Sequence, residues 1–324
     1  MKDLLVNYYD IHVEEKVILD RKECFKNNEY FYFTILTDNR EVIHMEQAAL
    51  AYYLTEQNMR HVAIPIPNIN GEWFTEYQDN NYMVLRFRYK QERELLSHGE
   101  LLANFHKTGS SYEYEPQEIS SYGQWKELWI NKLTAYETNI ASRAKERSTQ
   151  FNRLMMDILP YIIGISENAI QYVQESEEDD RFHEADQGTI SFRRYNEQVL
   201  KPVLWFDHLV YDHPTRDLAE YIRNKFLYGG DEVSSEMAGF MHQYQSVQPL
   251  SVFSWRLLYA RLIFPIQLFD QIEHCLSYQN EEQSYREMVD LLDKQTVYEK
   301  RLANFFDNAG VDNEALEIPV LHWL

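Results

Sequence analysis

The sequence predicts an α+β fold with a small N-terminal lobe, built on an antiparallel sheet with one helix, and a large, mostly helical C-terminal lobe. Two observations lead to this prediction. The first ninety residues contain short aromatic and β-branched runs between turn residues, which is typical of strands. From about residue 93, apolar residues recur at helical spacing through most of the chain. The 324 residues suffice for one large or two modest domains with real cores.

The N-terminal lobe is placed at residues 1–90. Its clearest strand is YFYFTIL at 30–36, because aromatic and β-branched side chains favour a pleated, half-buried surface. A helix is expected over 43–57, where apolar residues follow helical spacing. Two further strands, EWFTEY and YMVLRF, are expected to face each other across a turn. A link near 86–93 then leads into the second lobe.

The C-terminal lobe is placed at residues 91–324 and consists mainly of predicted helices. HGELLANFHKTG (98–109) ends in Lys-Thr-Gly, which is typical of a helix C-terminus. Helical spacing also continues through 251–276, which we interpret as one helical stretch. Two short strands are expected within 182–206, as a β insertion among the helices. A sheet lobe, a link and a helical lobe in this order make the bilobal layout of the protein-kinase-like fold.

Charge and cysteine content exclude several functions. Lys and Arg number 31 and Asp and Glu 52, so the net charge is −21. Such a chain is repelled by phosphate backbones and anionic lipid, so neither nucleic acid nor a membrane surface is expected as a partner. No run of 18 apolar residues indicates membrane insertion. Cys24 and Cys275 lie far apart and indicate neither a disulfide framework, a metal-ligand cluster nor an activated thiol, which favours a reducing, cytosolic compartment.

Several motifs occur in an order that resembles the aminoglycoside phosphotransferases. LLANFHKTG carries His106, His183 follows some eighty residues later, and VLWFDHLVYDHPTRDLAEYIR (203–223) carries Asp217. The chain also contains an Asn-Gly-Glu-Trp hairpin and a His-Glu-x-Asp-x-Gly loop. Together they resemble most closely the spore-coat kinase-like proteins of the CotS/YutH group, and within it the YutH branch. The resemblance implies a structural role for His106 and Asp217.

The stretch that resembles the catalytic loop departs from the kinase pattern. In FHEADQGTISF (182–192), alignment on His183 places Ala185 where these kinases have the catalytic Asp, and Ile190 where they have a metal-binding Asn. Ala cannot accept the proton of a substrate hydroxyl. A shift of one residue would offer Asp186 as the base and Ser191 in the place of the Asn. The other interpretation of Asp186 is that it hydrogen-bonds the loop.

The parts that would hold ATP and its metal are also altered. The position of the metal-binding Asp is taken by Trp205, whose indole cannot ligate Mg²⁺ and is expected to fill the space of the phosphates and metal. Asp207, two residues on, is the alternative metal ligand. The third strand has no lysine, so Glu46, its usual partner in the family, is expected on the helix surface. No glycine precedes Gly71, so a glycine-rich phosphate loop is missing.

These departures together favour a non-catalytic protein with a kinase-like fold. We expect no cofactor and no metal, and the resemblance implies a protein made in the mother-cell cytoplasm that joins other proteins of the spore coat. The alternative is a divergent phosphotransferase that uses ATP and Mg²⁺ on a small molecule or a coat protein, with Asp186 as base and Asp207 as metal ligand. Oligomeric state is open, and a homodimer through an aromatic helical face is one possibility.

Overall fold

A computed structural model describes residues 1–38, 40–59, 61–88, 96–146, 149–177, 186–277 and 280–321. The chain packs as two units. The first contains Met1–Ser120 and Gly188–Pro214, and the second contains Ser121–Gln187 and Thr215–Leu324. The predicted link near 86–93 falls mostly outside the described residues, and the predicted division of the chain near residue 90 stays a prediction.

A twisted sheet of seven strands forms the centre of the first unit. Its order is β1-β2-β3-β6-β4-β8, with β5 attached to β6, and the pair β4–β8 is parallel while the others are antiparallel. The strands are β1 (Glu15–Leu19), β2 (Lys22–Lys26), β3 (Phe31–Leu36), β4 (Val62–Ile66), β5 (Thr75–Tyr77), β6 (Asn80–Phe87) and β8 (Leu204–Trp205). The antiparallel sheet and its strand at 30–36 were predicted. Lys26 ends β2 and pairs with Glu15.

Three helices accompany this sheet: α1 (Lys2–Tyr9), α2 (Glu41–Glu56) and α3 (His98–Gly109). The sequence predicted α2 and α3 but not α1, so two helices precede residue 90 rather than one. At eight residues, α1 is too short to show a clear helical period or to be stable alone. Its Leu4 and Leu5 are fully buried in a cluster with Tyr32, Tyr82 and Val84 of the sheet, and this packing stabilises the helix.

A separate two-stranded sheet completes the first unit. It pairs β7 (Thr189–Phe192) with β9 (Leu209–Asp212), both fully buried. Short 3-10 helices at Gln198–Leu200 and Phe206–His208 connect the strands. The sequence predicted β7 and β8 but not β9.

The second unit consists of helices. They are α4 (Trp125–Glu146), α5 (Gln150–Glu177), α6 (Thr215–Tyr228), α7 (Val233–Val247), α8 (Val252–Ile263), α9 (Ile266–Ser277), α10 (Glu281–Ala303) and α11 (Phe305–Ala309). The stretch 251–276, predicted as one helix, is interrupted at Pro265. Phe264 before it is extended, with ψ of 119°, because a proline disfavours the helical conformation of its predecessor. Aromatic rings of Trp255, Tyr259 and Phe306 pack in the core of this unit.

Both cysteines are free and buried. Cys24 lies in β2 with no exposed surface, and burial raises the pKa of its thiol to about 11. The thiol is therefore protonated at neutral pH and a poor nucleophile. Of the helices in the described ranges, none has the length and apolar character needed to cross a membrane.

Candidate functional site

The tip of the β1–β2 hairpin lies where the sequence analysis looked for a glycine-rich loop. Leu19 pairs with Lys22, which leaves a two-residue turn of Asp20 and Arg21. Both turn residues have left-handed backbone angles, with φ of 49° and 63°. Such a turn suits the twist of a hairpin but normally carries Asn-Gly. Here each non-glycine residue costs about 1 kcal/mol of backbone strain, so other contacts must hold the turn.

Trp205 provides those contacts. Its indole Nε1 donates a hydrogen bond of 2.6 Å to Asp20 Oδ2, and the Lys22 ammonium lies 3.8 Å from the centre of the Trp205 ring. The ring packs edge-on against Phe33 of β3, with centroids 4.5 Å apart, and Trp205 is only 1% exposed. Trp205, which stands at the position expected for a metal ligand, therefore packs against the tip of the β1–β2 hairpin. We call Asp20, Lys22, Phe33, Trp205 and Asp207 the Trp205 cluster.

Asp207 is the member of the cluster that could act as a metal ligand. Its Oδ2 lies 3.9 Å from Lys22 Nζ, whereas its Oδ1 is buried with no hydrogen-bond partner among the described residues. The backbone carbonyl of Asp207 accepts a bond of 2.9 Å from Gln47 Nε2, which ties this segment to α2. The neighbouring His208 has its pKa lowered by burial, partly offset by the Asp207 carboxylate. A lysine ammonium is thus the cation beside Asp207.

Glu46 lies on α2 with its side chain partly exposed, and its carboxylate has partners that the sequence did not predict. Its carboxylate accepts three backbone hydrogen bonds, from the N–H groups of Gln117 at 2.8 Å, Glu118 at 2.9 Å and Ile119 at 3.1 Å. β3 contains no lysine to pair with it. The Glu46 carboxylate therefore fixes residues 117–119. Next to them, the backbone N–H of Tyr211 in β9 donates to the Ile119 carbonyl at 3.1 Å.

β7 contains the two residues expected at the metal-binding Asn position. Ile190 and Ser191 are both fully buried and pair with Tyr211 and Val210 of β9. Ile190 offers no ligand atom. The Ser191 hydroxyl has no partner among the described residues, but a neutral hydroxyl is a weak Mg²⁺ ligand compared with a carboxylate.

Asp186, the alternative catalytic base, lies in the second unit and is fully buried. Its carboxylate accepts hydrogen bonds from the hydroxyls of Ser251, at 2.5 Å, and Ser254. Ser251 is the N-cap of α8. The carboxylate thus lies at the N-terminus of that helix, where negative charge is favourable. These contacts give Asp186 a helix-anchoring position. His183 and Ala185 lie outside the described residues.

The two residues expected to be structural are both fully buried. His106 is in α3, and its backbone carbonyl accepts a bond of 2.7 Å from the Thr189 hydroxyl of β7. Asp217 is in the first turn of α6. Its negative charge, added to a larger effect of burial, raises the pKa of Tyr244 well above its usual value.

The residues of the Trp205 cluster do not fit a magnesium nucleotide. Mg²⁺ prefers carboxylate, phosphate and water oxygens in octahedral geometry. The cluster holds two carboxylates, but Asp20 accepts the hydrogen bond of the Trp205 indole and Asp207 lies beside Lys22. A buried indole stands where a metal ligand is expected. What this arrangement can do is hold the β1–β2 hairpin closed.

Sequence reasoning singled out Trp205 and Asp207 but missed Asp20 and Lys22. The hydrogen bond between Asp20 and Trp205 joins residues 185 positions apart. The signal available in the sequence was the charged run from Asp20 to Lys22, between two predicted strands, where a glycine-rich loop had been sought.

Comparison with solved structures shows what class of fold this is. The aminoglycoside phosphotransferase from Alicyclobacillus acidocaldarius superposes with a TM-score of 0.65 at 13% identity, over 96% of both chains. An AMP-bound spectinomycin phosphotransferase gives 0.58 at 12% identity, over 92% of this chain and 96% of that one. A microcompartment-associated aminopropanol kinase gives 0.55 at 11% identity, over 94% and 97%. The chain therefore has the aminoglycoside-phosphotransferase-like kinase fold, which confirms the predicted fold class.

The family follows from sequence comparison. The family described as spore coat putative kinase YutH matches residues 2–305. The endospore coat-associated protein YutH of Bacillus subtilis strain 168 is 31% identical over 336 aligned positions, which cover 100% of this chain and 98% of that protein. The chain belongs to the YutH family of spore coat putative kinases, and the resemblance stated from the sequence is confirmed.

Proposed function

We propose that this protein is a catalytically inactive pseudokinase that serves as a structural or interaction component of the spore coat. Its kinase-like fold would present surfaces to other coat proteins, and it would bind neither ATP nor Mg²⁺. The observation that carries the proposal is the closed Trp205 cluster, in which Trp205 binds Asp20 and stacks against Lys22.

The chemistry of phosphoryl transfer supports this proposal. The reaction depends on positioning and on neutralising the charge of the phosphates with metal ions and cations. In this chain Lys22, the cation at the hairpin tip, lies over the Trp205 ring and near Asp207, and Glu46 is bound to backbone N–H groups. The net charge of −21 adds long-range repulsion of a nucleotide triphosphate.

The place of action is proposed from the relative. The B. subtilis protein is described as endospore coat-associated, and its sequence aligns with the whole of this chain. We therefore propose that this chain is made in the mother-cell cytoplasm and joins the coat through contacts with other coat proteins. Detection of the protein in extracted coat fractions, against the soluble fraction of the same cells, tests this location.

The first experiment is thermal unfolding of the purified chain with and without millimolar ATP and Mg²⁺. A ligand that binds only the folded state raises its stability by RT ln(1 + [L]/Kd), so even a weak site would raise the Tm. We expect no change in Tm. A related active phosphotransferase, measured in the same buffer, shows that the assay detects binding.

The alternative function, a divergent phosphotransferase, makes the opposite prediction. It is favoured by one observation, the unpartnered buried Oδ1 of Asp207. A Tm increase that needs both ATP and Mg²⁺, is lost in Asp207→Asn and is kept in the exposed control Asp10→Asn would overturn the pseudokinase proposal. Phosphate release by the wild type but not by Asp186→Asn would then identify Asp186 as the base.

A further inference from the structure

Three different electron-pair donors converge between α9 and α10 in the second unit. They are the imidazole of His274, the thiol of Cys275 and the carboxylate of Glu287, and their ligand atoms lie within 4.8 Å of one another. His274 Nδ1 lies 3.7 Å from Glu287 Oε2. The sequence analysis saw no metal-ligand cluster at either cysteine, because Glu287 is brought close only by the packing of α10 on α9.

The space between these donors already attracts a positive group. The amide nitrogen of Gln271 donates to both Cys275 Sγ, at 3.3 Å, and Glu287 Oε2, at 3.1 Å. One side-chain N–H₂ group therefore bridges the sulphur and the carboxylate. A group that carries partial positive charge occupies this position, and a metal cation would interact with the same two atoms more strongly.

The three donors differ in burial. Cys275 is 3% exposed, while the side chains of His274 and Glu287 are 51% and 35% exposed. The sulphur thus forms the closed side of the site and the other two donors its open side. An ion can enter from solvent, and the two outer side chains have room to adjust around it.

The donor set indicates which metal. Thiolate, imidazole and carboxylate together are typical ligands of Zn²⁺, whereas Mg²⁺ and Ca²⁺ prefer oxygen alone. Around a tetrahedral Zn²⁺, bond lengths of about 2.0–2.3 Å place neighbouring donors roughly 3.4–3.6 Å apart. The separation of 3.7 Å between His274 and Glu287 nearly meets this, and the sulphur lies within 4.8 Å of both.

The net charge of the chain also favours a cation. On α9 and α10, Glu273 is paired with Lys132 at 2.7 Å and Glu282 with Arg286, so these two carboxylates are already balanced. The chain as a whole carries a net charge of −21, which raises the local concentration of cations near its surface.

We propose that His274, Cys275 and Glu287 bind one Zn²⁺ ion, with the fourth position open to water or to a donor from another molecule. On binding, the Cys275 thiol releases its proton to solvent, and the Gln271 amide turns away from the sulphur. The ion joins α9 to α10. This site is independent of the Trp205 cluster and of whether the protein binds ATP.

The test is a Zn²⁺ titration of the chelator-treated full chain against a chromophoric competitor, with Co²⁺ as a spectroscopic probe. We expect one Zn²⁺ per chain and, with Co²⁺, the near-ultraviolet absorption of a thiolate–cobalt bond. Loss of even an outer-shell partner of a metal site commonly costs about 10- to 100-fold in affinity, so Cys275→Ser should weaken binding at least that much. His274→Ala should do the same, and its exposed side chain can be removed without disturbing the core.

Two controls match these variants. Cys24→Ser removes the other cysteine, and Glu273→Gln removes a carboxylate from the same helix that is bound to Lys132 instead. Both should bind Zn²⁺ as the wild type does and keep the cobalt–thiolate absorption. The proposal is overturned if the wild type takes up no stoichiometric Zn²⁺, or if Cys275→Ser and His274→Ala bind it as tightly as the wild type.

Discussion

The indole of Trp205 illustrates how a single side chain can hold a turn whose backbone is unfavourable. Asp20 and Arg21 adopt left-handed angles without the benefit of glycine. A hydrogen bond to a charged acceptor contributes about 1.5–3 kcal/mol, and a partly buried cation–π contact about 0.5–2 kcal/mol. These contributions exceed or match the strain of the turn, so the hairpin tip stays against Trp205.

The first prediction is that Asp20 and Trp205 are energetically coupled. Asp20→Gly deletes the carboxylate and keeps a residue that accepts the left-handed turn, and Trp205→Phe deletes the indole N–H. We expect the cost of Trp205→Phe to be about 1–2 kcal/mol smaller in the Asp20→Gly background than in the wild type. Urea unfolding of the two single variants and the double variant measures this coupling.

Asp10→Gly serves as the matched control for that cycle. Asp10 is also left-handed, with φ of 53°, but it is exposed at the end of α1. Its coupling to Trp205→Phe should be zero. If the coupling energy between Asp20→Gly and Trp205→Phe were also zero, the hydrogen bond between Asp20 and Trp205 would contribute nothing to stability in solution.

These residues could be predicted where the motif lies within a short stretch of sequence, but not where it depends on contacts between distant residues. Trp205 and Asp207 were identified because their motif lies within a twenty-residue stretch. The partner of Trp205 is set by the tertiary fold, because Asp20 follows β1 and Trp205 lies in β8, at the two ends of the strand order. The backbone partners of Glu46 were missed for the same reason, because the N–H groups that it binds lie 71–73 residues further along the chain.

At the level of elements, the contact of α3 with β7 depends on the absence of one side chain. A Cβ at Gly109 would lie 2.5 Å from Thr189 Oγ1 and 2.7 Å from the Ile190 backbone nitrogen. Both distances are far below van der Waals contact, and the second involves backbone that cannot move aside. The glycine lets helix and strand approach closely enough for Thr189 to bond the His106 carbonyl.

The second prediction compares two Gly→Ala variants. Gly109→Ala should lower the free energy of unfolding by about 1–3 kcal/mol, because the added methyl group overpacks the α3–β7 contact. Gly164→Ala in α5 has nothing within 4 Å of the new Cβ, so it should raise stability by about 0.5–1 kcal/mol through the better helix propensity of alanine. Denaturant unfolding of both variants gives opposite signs if this description holds, and a stabilised Gly109→Ala contradicts it.

The elements themselves were predictable where they were long and periodic. Aromatic and β-branched runs gave the antiparallel sheet, and helical spacing gave the helical second unit. The missed elements, α1 and β9, have eight and four residues, too few for a period to show. A single helix was predicted over 251–276 because the apolar spacing continues across Pro265. The backbone cannot continue as a helix there, since proline lacks the N–H group and its ring clashes with the preceding turn.

For the molecule as a whole, the fold and phosphoryl transfer depend on different features of the sequence. The sheet order and helical unit depend on apolar patterning spread over the whole chain, which tolerates change at single polar positions. Phosphoryl transfer depends on a few charged side chains at fixed positions, and the sequence alignment predicts Ala185, Ile190 and Trp205 at three of them. Fold alone therefore does not imply function in this family.

The third prediction concerns acid stability. Burial lowers the pKa of His61 and of His208 below the ordinary value of 6.5. The unfolded chain therefore binds protons at these residues at a higher pH than the folded chain does. The two histidines make their full contribution to stability above pH 6.5. This contribution falls as the pH drops below 6.5, and it stops falling once the pH is below the pKa values of the folded chain.

We expect the double variant His61→Gln and His208→Gln to lose less free energy of unfolding than the wild type when the pH is lowered from about 7 to about 5.5. The matched control is His12→Gln, whose side chain is 80% exposed and which should leave the slope unchanged. Urea unfolding at several pH values measures the slope. A slope in the double variant as steep as that of the wild type would rule out these two residues as its source.

The rate at which the buried thiol of Cys24 is alkylated can report how often the β1–β2 hairpin opens. Cys24 lies two residues after Lys22 in β2, has no exposed surface and holds its proton firmly, so an alkylating reagent cannot reach it while the strand is in place. Modification must then wait for the hairpin to detach, and its rate reports how often that happens. Any partner or ligand that releases or tightens the hairpin would be recorded as a faster or slower loss of one free sulfhydryl, without any added label.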